Sequence, residues 1–116
     1  MDKNYYITTP IYYPSAKPHM GHAYSSIIAD FFARFKRMDG FDVHFLTGTD
    51  EHGLKIQRAA ENMNIEPLEF CDQISQTFRD LSKILNLSNT DFIRTTEERH
   101  KKSVQYLWSE LEKNDD

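Results

Sequence analysis

Short aromatic and β-branched runs alternate along this chain with longer stretches whose apolar residues recur at three- and four-residue steps. Residues 5–9 form such a run and stop at Pro10, the pattern of a strand. Pro14 and Pro18, with Ser15 and Lys17 between them, make residues 11–18 a loop. From Met20 the period changes. Tyr24, Ile27, Ile28, Phe31 and Phe35 trace the stripe of an amphipathic helix, with Lys36 and Arg37 in its last turn and Gly40 as its stop. Residues 41–47, with Val43, Phe45 and Leu46, read as a second strand, and residues 48–53 as a tight polar turn.

The second half repeats the alternation. A short helix is expected with Ile56, Ala59, Ala60 and Met63 on one side. Pro67 suits the first turn of a further helix, striped by Leu68, Cys71, Ile74, Phe78, Leu81 and Leu85. Residues 86–91 are turn formers and residues 92–94 a short third strand. Thr95 and Glu98 have the spacing of a capping box, opening a helix with Val104, Leu107, Trp108 and Leu111 facing inward. Strand, helix, strand, helices, strand, helix is the order of an α/β fold: a parallel sheet with flanking helices and right-handed crossovers. Three strands leave an unprotected edge, so the sheet reads as incomplete.

The bulk numbers narrow the function classes. With 116 residues the chain is one domain or a piece of one, and its 39% hydrophobic and 28% charged content is ordinary for a globular protein. A net charge of −4 argues against a protein that coats nucleic acid. The acidity is uneven: residues 1–60 hold seven Lys/Arg against six Asp/Glu, and residues 61–116 seven against twelve. Cys71 is the only cysteine, which excludes an internal disulfide or a multi-cysteine metal knuckle. No signal peptide and no membrane-spanning run is evident, so a cytoplasmic location is expected. The pattern sets no oligomeric state.

Both polar loops follow strands, where open parallel sheets bind their ligands. The first leads to His19-Met20-Gly21-His22 at a helix start, whose free N–H groups and partial positive charge suit phosphate. His19 and His22, three apart, share a face there and can both donate to phosphate oxygens. Gly21 lets a flat ring such as adenine approach the backbone. The second loop holds Asp50, Glu51 and His52 between Gly48 and Gly53, with the two carboxylates suited to an ammonium group or a ribose hydroxyl. Side by side, the loops would bring three histidines and a carboxylate pair into one cleft. Ile11, Tyr12 and Tyr13 could wall an apolar pocket or belong to ordinary core. Histidines at a helix start also serve simply as caps. A metal held by His19, His22, His52 and Asp50 is a further arrangement open to these residues, although paired helical ligands are usually four apart.

Together these pieces resemble one family. Thr9-Pro10-Ile11-Tyr12-Tyr13-Pro14 followed by Pro18-His19-Met20-Gly21-His22-Ala23-Tyr24 is similar to the first signature of class I aminoacyl-tRNA synthetases, written H-I-G-H. Phe45-Leu46-Thr47-Gly48-Thr49-Asp50-Glu51-His52-Gly53, with Lys55-Ile56, resembles the matching stretch of the methionyl-tRNA synthetases. H-x-G-H alone also occurs in nucleotidylyltransferases; the two blocks at this separation are far more specific, and the resemblance covers essentially the whole chain. Met20 replaces the usual Ile, an exchange between apolar residues expected to face the core.

The resemblance implies a Rossmann-like parallel sheet. Residues 1–116 would form the N-terminal half of the catalytic domain and end near the start of the connective insertion. It implies ATP-dependent activation of methionine and transfer to the 3′ end of tRNA, with tRNA contacts outside these residues. His19, Gly21 and His22 would serve ATP, His19 and His22 as catalytic groups, and Ile11, Tyr13 and Asp50 would bind methionine. Magnesium would accompany ATP, and zinc is expected only in the connective domain. No residue here is assigned as a metal ligand. Neither the family's K-M-S-K-S motif nor its later strands occur in this chain, so it would have little activity alone. The rivals are a small nucleotidylyltransferase and a non-catalytic adenosine- or amino-acid-binding module.

Overall fold

The computed structural model describes residues 3–114. The domain expected over 1–116 therefore extends two residues beyond them at each end, and those four lie outside the described residues. The elements follow the expected order: β1 (Asn4–Thr8), α1 (Met20–Met38), β2 (Asp42–Thr49), α2 (Leu54–Asn62), α3 (Pro67–Ile84), β3 (Asp91–Arg94) and α4 (Glu98–Lys113). The three strands form a parallel sheet in the order β1-β2-β3, with Ile7 beside Phe45 and Gly48 beside Ile93. The α/β reading holds. Among the described residues no helix is long and apolar enough to cross a membrane.

Local chemistry explains most boundaries. Pro67 opens α3 in its first turn, where its missing N–H costs nothing. Gly40 follows α1 with φ +84°, a backbone that glycine adopts without strain. Lys36, in the last turn of α1, lies over the rings of Phe41 and Tyr5. β2 runs two residues further than its composition suggests. Gly48 and Thr49 pair with Ile93 and Arg94, and Thr49 also bridges to Tyr12. The polar turn is accordingly shorter than the expected 48–53.

The helix faces differ from expectation. The α1 stripe points outward: Tyr24, Phe31 and Phe35 are exposed, and Met20, expected to face the core, is 85% exposed. The buried face is instead Ser26, Ala29, Asp30 and Ala33. Small side chains let α1 lie close on the sheet, where Ala29 and Ala33 pack with Val43 and Phe45. Periodicity identifies an apolar stripe but not what covers it, and here the sheet takes the small-residue face. α4 buries no residue, so Val104, Leu107, Trp108 and Leu111 do not face inward. Met63 and Leu68 are also exposed.

The capping box at the start of α4 does not form. Glu97 is the N-cap and makes no side-chain cap bond. The Thr95 hydroxyl is turned away to accept from the Glu51 backbone N–H at 2.8 Å. Ile56, Ala60, Phe70 and Cys71, where α2 meets α3, form a second cluster, and Tyr12, Phe78 and Phe92 a third.

Candidate active site

The loop after β1 is stitched to the end of β2. Tyr12 N–H donates to the Gly48 carbonyl at 2.9 Å, and Asp50 N–H donates to the Tyr12 carbonyl at 2.8 Å. The two loops therefore do lie side by side. Tyr12 is core, only 8% exposed, with its ring stacked 5.6 Å from that of Phe78. Its hydroxyl donates to the His22 carbonyl at 3.2 Å and pairs with Ser26 Oγ at 2.7 Å. That joins β1's loop to the first turns of α1.

The histidine pair builds the helix start. His19 is the N-cap, in extended backbone, and its Nδ1 accepts from Gly21 N–H at 3.0 Å. His22 reaches back, its Nδ1 accepting from His19 N–H at 3.1 Å. Imidazoles here do what Ser or Asp and Glu do in an ordinary capping box. The two rings stack with centroids 3.9 Å apart. A Cβ at Gly21 would stand 2.9 Å from His19 Cε1, so the missing side chain leaves room for the capping ring.

This geometry fixes proton positions. A ring nitrogen that accepts cannot carry a proton, so each neutral imidazole holds its hydrogen on Nε2. Both Nε2–H groups remain as donors beside a helix N-terminus, a favourable arrangement for a polyphosphate. His22 lies half-buried against Tyr12 at 4.8 Å and Phe78 at 5.0 Å. Burial, with the charge of His19 behind it, lowers its pKa below the ordinary imidazole value.

Convergence is partial in the second loop. Asp50 is half-exposed, and its carboxylate takes no hydrogen bond or ion pair among the described residues. Glu51, read as the other half of a ligand-binding carboxylate pair, is buried at 4% exposure and carries an ion pair with Arg94 at 2.8 Å. The His52 ring turns to the Thr95 carbonyl, with Nε2 at 3.2 Å. Two histidines and one carboxylate thus stay available, rather than three and two. Among the described residues no group of three or more His, Cys, Asp or Glu is arranged to hold a metal ion.

The apolar candidates divide. Ile11 is 44% exposed beside buried Tyr12. Tyr13 is half-buried, and its hydroxyl donates to the His52 carbonyl at 3.0 Å, a second stitch between the loops. Gly53 allows that contact: its φ is +123°, and a Cβ there would come within 2.5 Å of Tyr13 Oη. Arg94, Thr95 and Thr96 hold the second loop from the end of β3, a role that no local pattern assigns to them. Its one trace in the sequence is an arginine closing a strand, followed by two threonines.

Known proteins bear on this geometry. The profile of the tRNA synthetases class I (M) matches residues 5–116. The chain is 60% identical over 110 residues to the mitochondrial methionine–tRNA ligase of Takifugu rubripes, covering 95% of this chain and 19% of that protein. It is 59% identical over 111 residues to the methionine–tRNA ligase of Rickettsia conorii, covering 96% of this chain and 22% of that one. The Mycobacterium tuberculosis methionyl-tRNA synthetase in complex with methionyl-adenylate superposes with a TM-score of 0.95 at 46% identity, over 98% of this chain and 22% of that chain. The chain spans about a fifth of the length of the curated relatives it matches.

Proposed function

Because the chain belongs to the class I tRNA synthetases (M), we propose that its two stitched loops are part of the site where a methionine–tRNA ligase forms methionyl-adenylate. The chain supplies the first strands of the catalytic domain in a longer enzyme. The observation that carries this reading is the pair of Nδ1-capped imidazoles at the start of α1, on a loop stitched through Tyr12 to the one that carries Asp50, whose carboxylate has no partner among the described residues. The solved relative holding methionyl-adenylate at 46% identity supports it.

The residues divide the work. The Nε2–H groups of His19 and His22 donate to the phosphates of ATP, and Gly21 keeps the helix start open for adenine. Asp50 pairs with the α-ammonium of methionine, while Ile11 and Tyr13 line its side chain. A methionine carboxylate oxygen forms a bond to the α-phosphorus, the bond from that phosphorus to the bridging oxygen breaks, and pyrophosphate leaves. The 3′-terminal hydroxyl of tRNA, bound through other parts of the enzyme, then attacks the activated carbonyl and AMP departs. Catalysis here is positioning plus stabilisation of charge on the transferring phosphoryl group. Magnesium would arrive with ATP and screen charge on its phosphates; Asp50 is given to the ammonium group, so no residue of this chain is assigned to the metal. Zinc likewise has no residue here.

Methionine-dependent ATP–pyrophosphate exchange tests the assignment. In the full-length enzyme His22→Ala should lower kcat by ~10²-fold or more, the scale of losing one transition-state donor, with little change in methionine affinity. Equal losses in methionine affinity and kcat would remove His22 from the phosphoryl step. The 116-residue chain alone should show almost no exchange, and exchange at the parental rate would overturn its being one part of the site.

A further inference from the structure

Glu51 is the carboxylate that the proposed site leaves unused, and it is the most heavily bonded one among the described residues. Its side chain has no exposed area. Oε1 accepts from Arg94 Nη2 at 2.8 Å, from Arg94 Nε at 3.0 Å and from the Thr96 hydroxyl at 2.8 Å. Oε2 accepts from Arg94 Nε at 2.8 Å and from the Thr49 hydroxyl at 2.5 Å. Arg94 reaches on to Asp72 of α3 at 2.6 Å.

The backbone around Glu51 is held by the same strand end. Its N–H donates to Thr95 Oγ1, and its carbonyl accepts from the Cys71 thiol at 3.8 Å. Thr95 N–H donates to the Thr49 carbonyl at 3.2 Å, and the His52 ring meets the Thr95 carbonyl. Residues 49, 51 and 52 are thus each tied to residues 94–96. Asp50 stands between tied neighbours, with its own N–H on the Tyr12 carbonyl and its carboxylate without a partner among the described residues.

A buried ion pair is a poor device for stability, since desolvating two charges offsets most of their attraction. Its particular product is geometry: a guanidinium fork gripping both carboxylate oxygens fixes direction as well as distance. We propose that Arg94 and Glu51 are positioning residues for Asp50, a buried pin that aims its carboxylate and so sets the affinity for the methionine α-ammonium. The proposal rests on the reading of Asp50 given above. Neither residue touches substrate. Their effect falls on methionine binding and leaves ATP, held by the histidine pair on the other loop, unaffected.

The test uses pyrophosphate exchange and thermal unfolding of the full-length enzyme. Arg94→Met should raise the methionine KM ~10-fold or more, as expected when a binding group is displaced by a fraction of an ångström, with the KM for ATP unchanged. Arg94→Lys keeps the charge but not the fork and should lie between. The double variant Glu51→Gln/Arg94→Met removes both charges, so it should recover most of the thermal stability lost in Arg94→Met while keeping the raised methionine KM. Recovery of KM together with stability would show a merely structural role and overturn the pin. So would a methionine KM that stays normal in Arg94→Met. Asp50→Asn separates the two levels. A raised KM there with a normal one in Arg94→Met overturns the pin alone; an unchanged KM in Asp50→Asn overturns the assignment of Asp50 and the pin with it.

Discussion

Tyr12→Phe removes one oxygen from the joint between the loops and α1 and nothing else. The phenyl ring keeps its stack on Phe78 and its contact with His22. Two partners lose the hydroxyl: the His22 carbonyl and Ser26 Oγ, the latter on a residue only 2% exposed. Leaving a buried hydroxyl unsatisfied costs about 1–3 kcal/mol. Ser26 has a local remedy, because a helical serine can donate to the carbonyl four residues back, which here is that of His22. The low end applies, about 1 kcal/mol, or roughly fivefold in the unfolding constant. Urea titration of the 116-residue chain, with an unchanged slope, reads this directly. Ser26→Ala alone should cost a similar amount. The double variant should cost little more than either single one, because the shared hydrogen bond is lost only once. Strict additivity in that cycle, or no change in Tyr12→Phe, would refute the joint.

Two other predictions concern titration and reactivity. The His22 ring should be the Nε2–H tautomer by nitrogen NMR and titrate below about 6.5, the value of a free imidazole. A base whose folded pKa lies below its unfolded one is protonated more readily in the unfolded chain. Its stabilising contribution is therefore fully present above about pH 6.5 and is lost as pH falls through the folded pKa. A midpoint above 6.5, or a proton on Nδ1, would contradict the capping geometry. The Cys71 thiol, pushed up to about 11 chiefly by burial and 1% exposed, should be alkylated far more slowly at pH 8 in the native protein than in urea. Equal rates would show that the Glu51–Cys71 contact opens freely.

The order of elements was legible because each signal is local. Pro10 ends a run, Pro67 begins a helix, and the change of period at Met20 marks α1. Faces were less legible. The stripe Tyr24, Ile27, Ile28, Phe31 and Phe35 is a true periodic feature, yet β2 takes the opposite face because Ala29 and Ala33 allow closer approach to Val43 and Phe45. α4 repeats the lesson: its apolar residues are regularly spaced and none is buried. Hydrophobic spacing states that a face needs cover, while the identity of the cover depends on shape and on chain elsewhere.

The site divides along the range of its contacts. The bond from His19 N–H to His22 spans three residues, so H-x-G-H at a helix start nearly dictates it. The Tyr12–His22 contact spans ten residues and crosses from loop to helix, and the sequence left Tyr12 undecided between pocket wall and core. The Glu51–Arg94 pair spans 43 and depends on β3 pairing with β2 in one register, which places Arg94 beside Thr49. Residue type alone does not separate Asp50 from Glu51, two adjacent acids in one turn equally suited to a cation, and only the family resemblance singles out Asp50. The register of β3 separates them. It supplies an internal arginine to Glu51 and none to Asp50. Adjacent residues of like charge thus acquire different settings, one buried and paired as an anchor and the other half-exposed. The ligand role proposed for Asp50 requires that second setting, and the difference is set more than forty residues away.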